Sequence, residues 1–175
     1  MNEMKVTCIY YPGETERKLM KRCVWVTAGS TKAPKDPPSP ELVSSLLNAR
    51  HSPIRVLNFA FLFENIPSNT ATHLCRHRLA QPFVSSLRND RQSAIDGDTA
   101  PRNTPVNMIL YVNGEELMVI ANKRLCNKAA PMTRRAVQMM CMEALKVMPE
   151  FEGLLVPMCQ YGRCHEIQPC GKEAT

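Results

Sequence analysis

The sequence predicts an α+β domain, and three observations predict it. Strand-type runs rich in Val, Ile, Tyr and Phe sit near the start and the middle of the chain. Helical patterns with recognisable starting residues interrupt and follow them, and there is no internal repeat or low-complexity tract. At 175 residues and 44% hydrophobic, the chain can bury about two-thirds of the surface its unfolded form exposes, so residues 1–175 are expected to form a single domain.

Residues 4–11 alternate weakly and suit a strand, and residues 21–27 read as a second strand after a turn at Pro12-Gly13. Residues 33–40 hold four of the fourteen prolines and predict an extended connection. Ser39-Pro40-Glu41 then supplies an N-cap, a proline at the first helical position and an early acid, opening a helix to about Ala49. Residues 57–63 are apolar and phenylalanine-rich, a buried strand stopping near Pro67. A helix over 68–79 capped by Ser68 follows, and Pro82 predicts an irregular loop to about Arg91. Residues 96–105 are turn-rich. Asn113 caps a helix running to about Asn127, Pro131 opens another that ends before Pro149, and residues 157–175 form a cysteine-rich tail expected to be loop.

Purely apolar runs such as residues 154–158 are too short to span a bilayer, and residues 1–11 lack the apolar core of a signal peptide. The expectation is a cytoplasmic protein with no membrane contact. Eight cysteines fit reduced thiols there better than a disulfide scaffold. Cys159, Cys164 and Cys170, with His165 beside them and Cys126 able to join, are the candidates for a thiolate metal site. The tight Cys-x-x-Cys pair of structural zinc sites is missing, so no metal is expected.

A net charge of +6 favours an anionic partner, whether nucleic acid, phosphorylated small molecule or acidic protein. With 6% aromatic residues and a single Trp25 away from the arginines, a stacking platform for single strands is disfavoured, and no nucleic acid is expected. The densest polar cluster is His73, Arg76, His77, Arg78, Ser86, Arg88 and Arg91, with Asp90 as its only acid. Helical spacing predicts His73, Arg76 and His77 on one face, which repels itself unless an anion lies against it. On charge pattern alone a solvated surface is the commoner outcome for such a run.

The order of residue types goes further. Arg76-His77-Arg78, seven residues, then Ser86 and Arg88, resembles the signature of the flavin-dependent (ThyX-type) thymidylate synthases. His51-Ser52 with Asn58-Phe59-Ala60-Phe61 before it, and Asn113, Asn122, Arg124 and Ala129 after it, resemble two further blocks of that family in the same order. The resemblance implies an antiparallel sheet packed with helices, and a homotetramer with shared active sites in which the methionine-rich helix is one candidate interface. It implies the methylation of dUMP to dTMP, with methylenetetrahydrofolate as carbon donor and FAD, reduced by NADPH, as hydride donor.

Residue by residue, the resemblance places dUMP against His73, Arg76, Ser86, Leu87, Arg88, Arg102 and Arg124. It places FAD against His51, Ser52, Arg76, His77, Arg78, Asn113, Gly114, Glu115 and Asn122. Arg124 matches the arginine that activates the uracil; an arginine stays protonated at neutral pH, so its role is electrostatic. The sequence departs from the family at Val84, at Val119 and around Arg55-Val56-Leu57, where relatives carry a glutamate, an asparagine and a Glu-His pair. The competing readings are a basic nucleic-acid-binding module with a zinc-stabilised tail, and a nucleotide and flavin binder without methylation activity.

Overall fold

The computed structural model describes residues 3–91, 96–162, 164 and 166–171. In chain order it runs β1 (Lys5–Tyr10), α1 (Glu14–Thr27), α2 (Pro40–Asn48), a 3-10 turn (Ser52–Val56), β2 (Asn58–Pro67), α3 (Ser68–Cys75) and β3 (Gln81–Val84). It continues through β4 (Pro105–Asn113), α4 (Gly114–Arg124), α5 (Pro131–Val147), a second 3-10 turn (Pro149–Phe151) and α6 (Met158–Tyr161). The strands form one antiparallel sheet in the order β1-β2-β4-β3. The expected α+β class, an antiparallel sheet packed with helices, is what the chain adopts.

Strict alternation in β2 puts Phe59, Phe61 and Phe63 on one face, all fully buried. Their register partners on β4 are Val112, Leu110 and Met108, and β1 adds Val6 and Cys8 to the same face. Leu117, Ile120 and Ala121 of α4 and Val137, Met140 and Ala144 of α5 join these in one core. Phe59 stacks on Phe61 at 6.0 Å and meets the edge of Phe151 at 5.8 Å, tying the second 3-10 turn to the sheet. Register shifts between Phe63 and Ile66, where Asn65 takes φ 55° and its N–H donates to Asn107 Oδ1 at 3.0 Å. This bulge bends the end of β2 into α3.

Several helix starts are as expected. Ser39 caps α2 by accepting from Leu42 N–H at 3.3 Å, with Pro40 at the first helical position, and Asn113 caps α4 by accepting from Glu116 N–H at 2.9 Å. Others differ. Residues 21–27, expected as a strand, are the second half of α1: Glu16 reaches back to Gly13 N–H at 2.9 Å, Glu14 pairs with Lys18 one turn on, and Met20 is fully buried. Capping and one buried contact outweigh the strand preference of Val24, Trp25 and Val26. Ser68 is not a cap, since Pro67 holds that position and the Ser68 hydroxyl donates to Arg102 O at 2.8 Å. α3 ends at Cys75 rather than at Leu79, and α4 at Arg124 rather than at Asn127.

Of the loop expected from Pro82 to about Arg91, residues 85–91 are irregular as expected but residues 82–84 belong to β3, and β4 fills the gap between the turn-rich stretch and the Asn113 cap. Pro82 is tolerated because β3 is an edge strand. The tail also contains the one-turn α6 where loop was expected. Of the methionines of α5, Met140 is buried and Met139 half-buried, whereas Met132 and Met142 are exposed. Among the described residues no helix is long and apolar enough to cross a membrane.

Phe61→Ala should lower the unfolding free energy by about 3–5 kcal/mol, and Asn113→Ala by roughly 1 kcal/mol. Urea titrations followed by circular dichroism measure both; a cost below about 1 kcal/mol for Phe61→Ala would contradict its place at the centre of the core.

Candidate functional site

Two short helices and the turn that follows the first of them assemble the polar residues. α3 leaves the bulged end of β2 and α4 starts at the Asn113 cap at the end of β4; because these strands are antiparallel the helices start from opposite ends of the sheet, and it is the turn beyond α3 that meets α4. Glu116 stands in the first turn of α4 and Arg124 at its end, roughly 12 Å apart along the axis at 1.5 Å per residue. The gap is bridged by His77, just beyond α3: its Nδ1 lies 3.2 Å from Glu116 Oε1, and its Nε2 accepts from Arg124 Nε at 3.0 Å. Arg124 Nη2 also donates to His73 O at 2.9 Å, satisfying a carbonyl in the last turn of α3. His73 Nδ1 in turn lies 2.9 Å from Thr133 Oγ1 on α5.

The protonation of this array follows from Arg124. A guanidinium only donates, so His77 Nε2 must present a lone pair, and the ring is neutral with its proton on Nδ1 facing Glu116. Burial pushes the His77 pKa down to about 4, helped by the charges of Arg124 and Lys123. Burial, with Glu115 beside it, raises Glu116 against the opposing pull of Lys123. Arg124 is lowered by burial and by Arg76 nearby, which places two guanidinium groups in one region of positive potential.

Along the outer side of α3 lies a hollow of about 330 Å³ lined by Ser68, Asn69, Thr72, His73, Arg76 and Arg102. His73 and Arg76 sit on it as the helical spacing predicts. His77 does not: it lies past the helix end and turns inward, 6% exposed. Arg102 reaches the hollow because its carbonyl accepts from Asn69 N–H at 2.9 Å and from the Ser68 hydroxyl, pinning the residues before β4 to the start of α3. Arg124 does not line the hollow but adjoins it through His73 and Arg76. Among the described residues no carboxylate lies within ion-pair distance of Arg76, Arg78, Arg102 or Arg124. Arg124 Nη1 has no hydrogen-bond partner among them either.

The other sequence-predicted residues fall into separate groups. Ser86, Leu87 and Arg88 follow β3, where Ser86 Oγ accepts from Arg88 N–H at 3.1 Å and Arg88 holds Asp90 by two bonds of 2.9 Å; none of the three lines the hollow. That ion pair is exposed and readily exchanged for another anion. Asn113, Gly114 and Glu115 gather at the start of α4, where Glu115 pairs with Arg55 of the first 3-10 turn. A Cβ on Gly114 would come 3.1 Å from Ile54 O, so this glycine lets α4 dock on that turn. His51 and Ser52 are exposed at the start of the same turn.

Asn122 is 2% exposed: its amide donates to Val156 O at 2.7 Å and Leu154 O at 3.4 Å, and its oxygen accepts from Arg50 at 2.6 Å. Sequence reasoning missed Glu116, whose one signal was its place at the third position after an Asn cap. In the tail Cys159 and Cys164 are half-buried and Cys170 exposed, while His165 lies outside the described residues. Among the described residues no three metal-ligating side chains converge.

No family model and no curated protein sequence matches the chain. Solved structures do. A flavin-dependent thymidylate synthase ThyX from Helicobacter pylori, complexed with FAD and dUMP, superposes with a TM-score of 0.70 at 15% identity, covering 86% of this chain and 99% of that one. The chain has the ThyX fold. The UMP/dUMP methylase PolB from Streptomyces cacaoi, bound with 5-Br dUMP, gives a TM-score of 0.67 at 16% identity over 88% of this chain and 97% of its own. A second ThyX structure from H. pylori with FAD and dUMP gives 0.66 at 16% identity over 87% and 97%. At such identities the likeness is one of fold.

His77 carries a pH prediction. Its folded value, about 4, lies below the unfolded 6.5, so between them the unfolded chain binds more protons and His77's contribution to stability is lost as pH falls. The raised value of Glu116 acts in the opposite sense above its unfolded value. Urea midpoints are therefore expected to drop from pH 6.5 to pH 4.5 more steeply in the wild type than in His77→Gln; parallel slopes would assign the acid loss to other groups.

Proposed function

We propose that this chain is a flavin-dependent methylase of pyrimidine nucleotides that converts dUMP to dTMP, with methylenetetrahydrofolate as carbon donor and NADPH as reductant. The observation that carries the reading is a set of arginines with no carboxylate partner among the described residues: Arg76 at the end of α3 and Arg102 from the stretch before β4 line one hollow, and Arg124 at the end of α4 adjoins it. Guanidinium groups bind phosphate through paired donors, so this surface suits the nucleotide phosphate. Arg124, anchored by two bonds with Nη1 left over, suits negative charge spreading onto the uracil ring.

The groups available to FAD also suit an anion. Arg76 and Arg78 are exposed and lack carboxylate partners among the described residues, and the one acid of the set, Glu115, is neutralised by Arg55. Arg78, with Arg76, would hold the pyrophosphate, and His51, Ser52 and the start of α4 the remainder of the cofactor. When bound, FAD supplies the hydride that completes the methyl group. The protein's own share is to bind the phosphate, orient the pyrimidine and hold positive charge where the ring becomes anionic. The reading includes a homotetramer with shared sites, in which Ser86 and Arg88, away from the hollow of their own chain, are available to a neighbouring copy.

A flavin absorption band on purification and tritium release from dUMP labelled at C5 test the activity. Arg124→Ala should lower turnover by roughly 10²-fold, and unchanged turnover would remove Arg124 from the reaction. Arg102→Ala and Arg76→Ala should each weaken dUMP binding by about tenfold, the cost of one charge-assisted contact. Salt-sensitive DNA binding without flavin would favour the nucleic-acid module instead.

A further inference from the structure

Glu116 and His77 form a buried pair whose purpose the nucleotide reading leaves open. Both side chains are about 5% exposed, and burying a carboxyl against an imidazole costs desolvation that a surface pair would avoid. Leu117, Met118 and Ile120 of the same helix are fully buried, so the carboxyl stands in an otherwise apolar stretch. What the pair does is fix a proton. A neutral imidazole has two tautomers; with the proton on Nε2, that N–H would face the Arg124 Nε–H at 3.0 Å, donor against donor. Glu116 Oε1, 3.2 Å from Nδ1, selects the other tautomer.

We infer that Glu116 and His77 are positioning residues for Arg124: the carboxylate holds the His77 proton on Nδ1, and the Nε2 lone pair so created fixes the plane of the guanidinium. The two bonds to His77 Nε2 and His73 O occupy the Nε–Nη2 edge of Arg124. Nη1 and the second Nη2 proton are thereby left for an anion beside Arg76. This inference rests on the nucleotide reading above for its ligand, but the tautomer itself does not. The groups that act on the imidazole are Glu116, Lys123 and Arg124, all from α4; Arg76 acts on Arg124 from the end of α3, and Glu115 on Glu116.

Nitrogen-15 NMR of the histidine rings and calorimetric titration with dUMP, both on the full chain, test the inference. At pH 7 the wild-type His77 should show a protonated Nδ1 and a bare Nε2. In Glu116→Ala, where Nδ1–H has lost its acceptor, the proton is expected to move to Nε2, which turns the Arg124 guanidinium off the ring, and dUMP affinity to fall by about tenfold, the equivalent of one lost charge-assisted bond. Glu116→Gln should keep both the tautomer and the affinity, because its amide oxygen still accepts from Nδ1–H; a residue needed only for folding or for negative charge would not be rescued this way. Retention of Nδ1–H in Glu116→Ala, or equal loss of affinity in both variants, would overturn the proposal. If the wild type binds no dUMP, the nucleotide reading falls, and the ring signals of the two variants still decide whether Glu116 sets the tautomer.

Discussion

The half-buried guanidinium of Arg124 is the constraint around which the polar half of the molecule is arranged. A cation withdrawn from water needs acceptors, and this one finds two: a backbone carbonyl at the end of α3 and an imidazole nitrogen just beyond it. Because both acceptors come from the α3 end and the donor from the α4 end, the bonds lock two helices that share little apolar contact. Glu116 then makes the imidazole an acceptor, so a chain of three side chains runs from the first turn of α4 back to its last. Positive charge accumulates where this lock meets Arg76, with no carboxylate in ion-pair distance among the described residues, and the neighbouring hollow carries a positive potential.

The sheet determines where the lock can form. β2 and β4 are neighbours, one hands the chain to α3 and the other to α4, and their antiparallel register is set by the alternating Phe59, Phe61 and Phe63 facing Val112, Leu110 and Met108. Shifting that register by one residue would expose the phenylalanines, so the relative placement of the helices inherits the precision of the core. The bulge at Asn65 and the bonds from Ser68 and Asn69 to Arg102 O add the last element, bringing an arginine from before β4 onto the surface of α3. The likeness to the ThyX and PolB structures at 15–16% identity is likewise one of fold.

Part of this was legible in the linear sequence and part was not. Caps and prolines marked α2, α4 and α5 because their signals are local: Ser39-Pro40, Asn113 and Pro131 act on residues within one turn. The order Arg76-His77-Arg78, Ser86, Arg88 pointed to the fold. The strand expected over residues 21–27 gives way to α1 because Val24-Trp25-Val26 favours extended chain only locally, whereas the helix is started eleven residues before Val24, at Gly13. β3 and β4 were missed for different reasons: Pro82 argues against a strand except at an edge, and the alternation of Val106, Met108, Leu110 and Val112 lies between two louder turn and cap signals.

The site divides the same way. Sequence alone determined the cast: an excess of positive charge, an ordered set of arginines and histidines and the asparagine that starts α4, since residue type and short-range spacing are carried by the chain itself. Only the tertiary structure decided the pairings. It turned His77 inward to Glu116 while His73 and Arg76 stayed on the hollow, gave Asn122 to the carbonyls of Leu154 and Val156, and set Glu115 against Arg55 on the surface. Adjacent acids at 115 and 116 point to different sides of one helix, and which side meets a histidine depends on where β2 and β4 place the neighbouring helix. That placement follows from long-range burial, which no local pattern encodes.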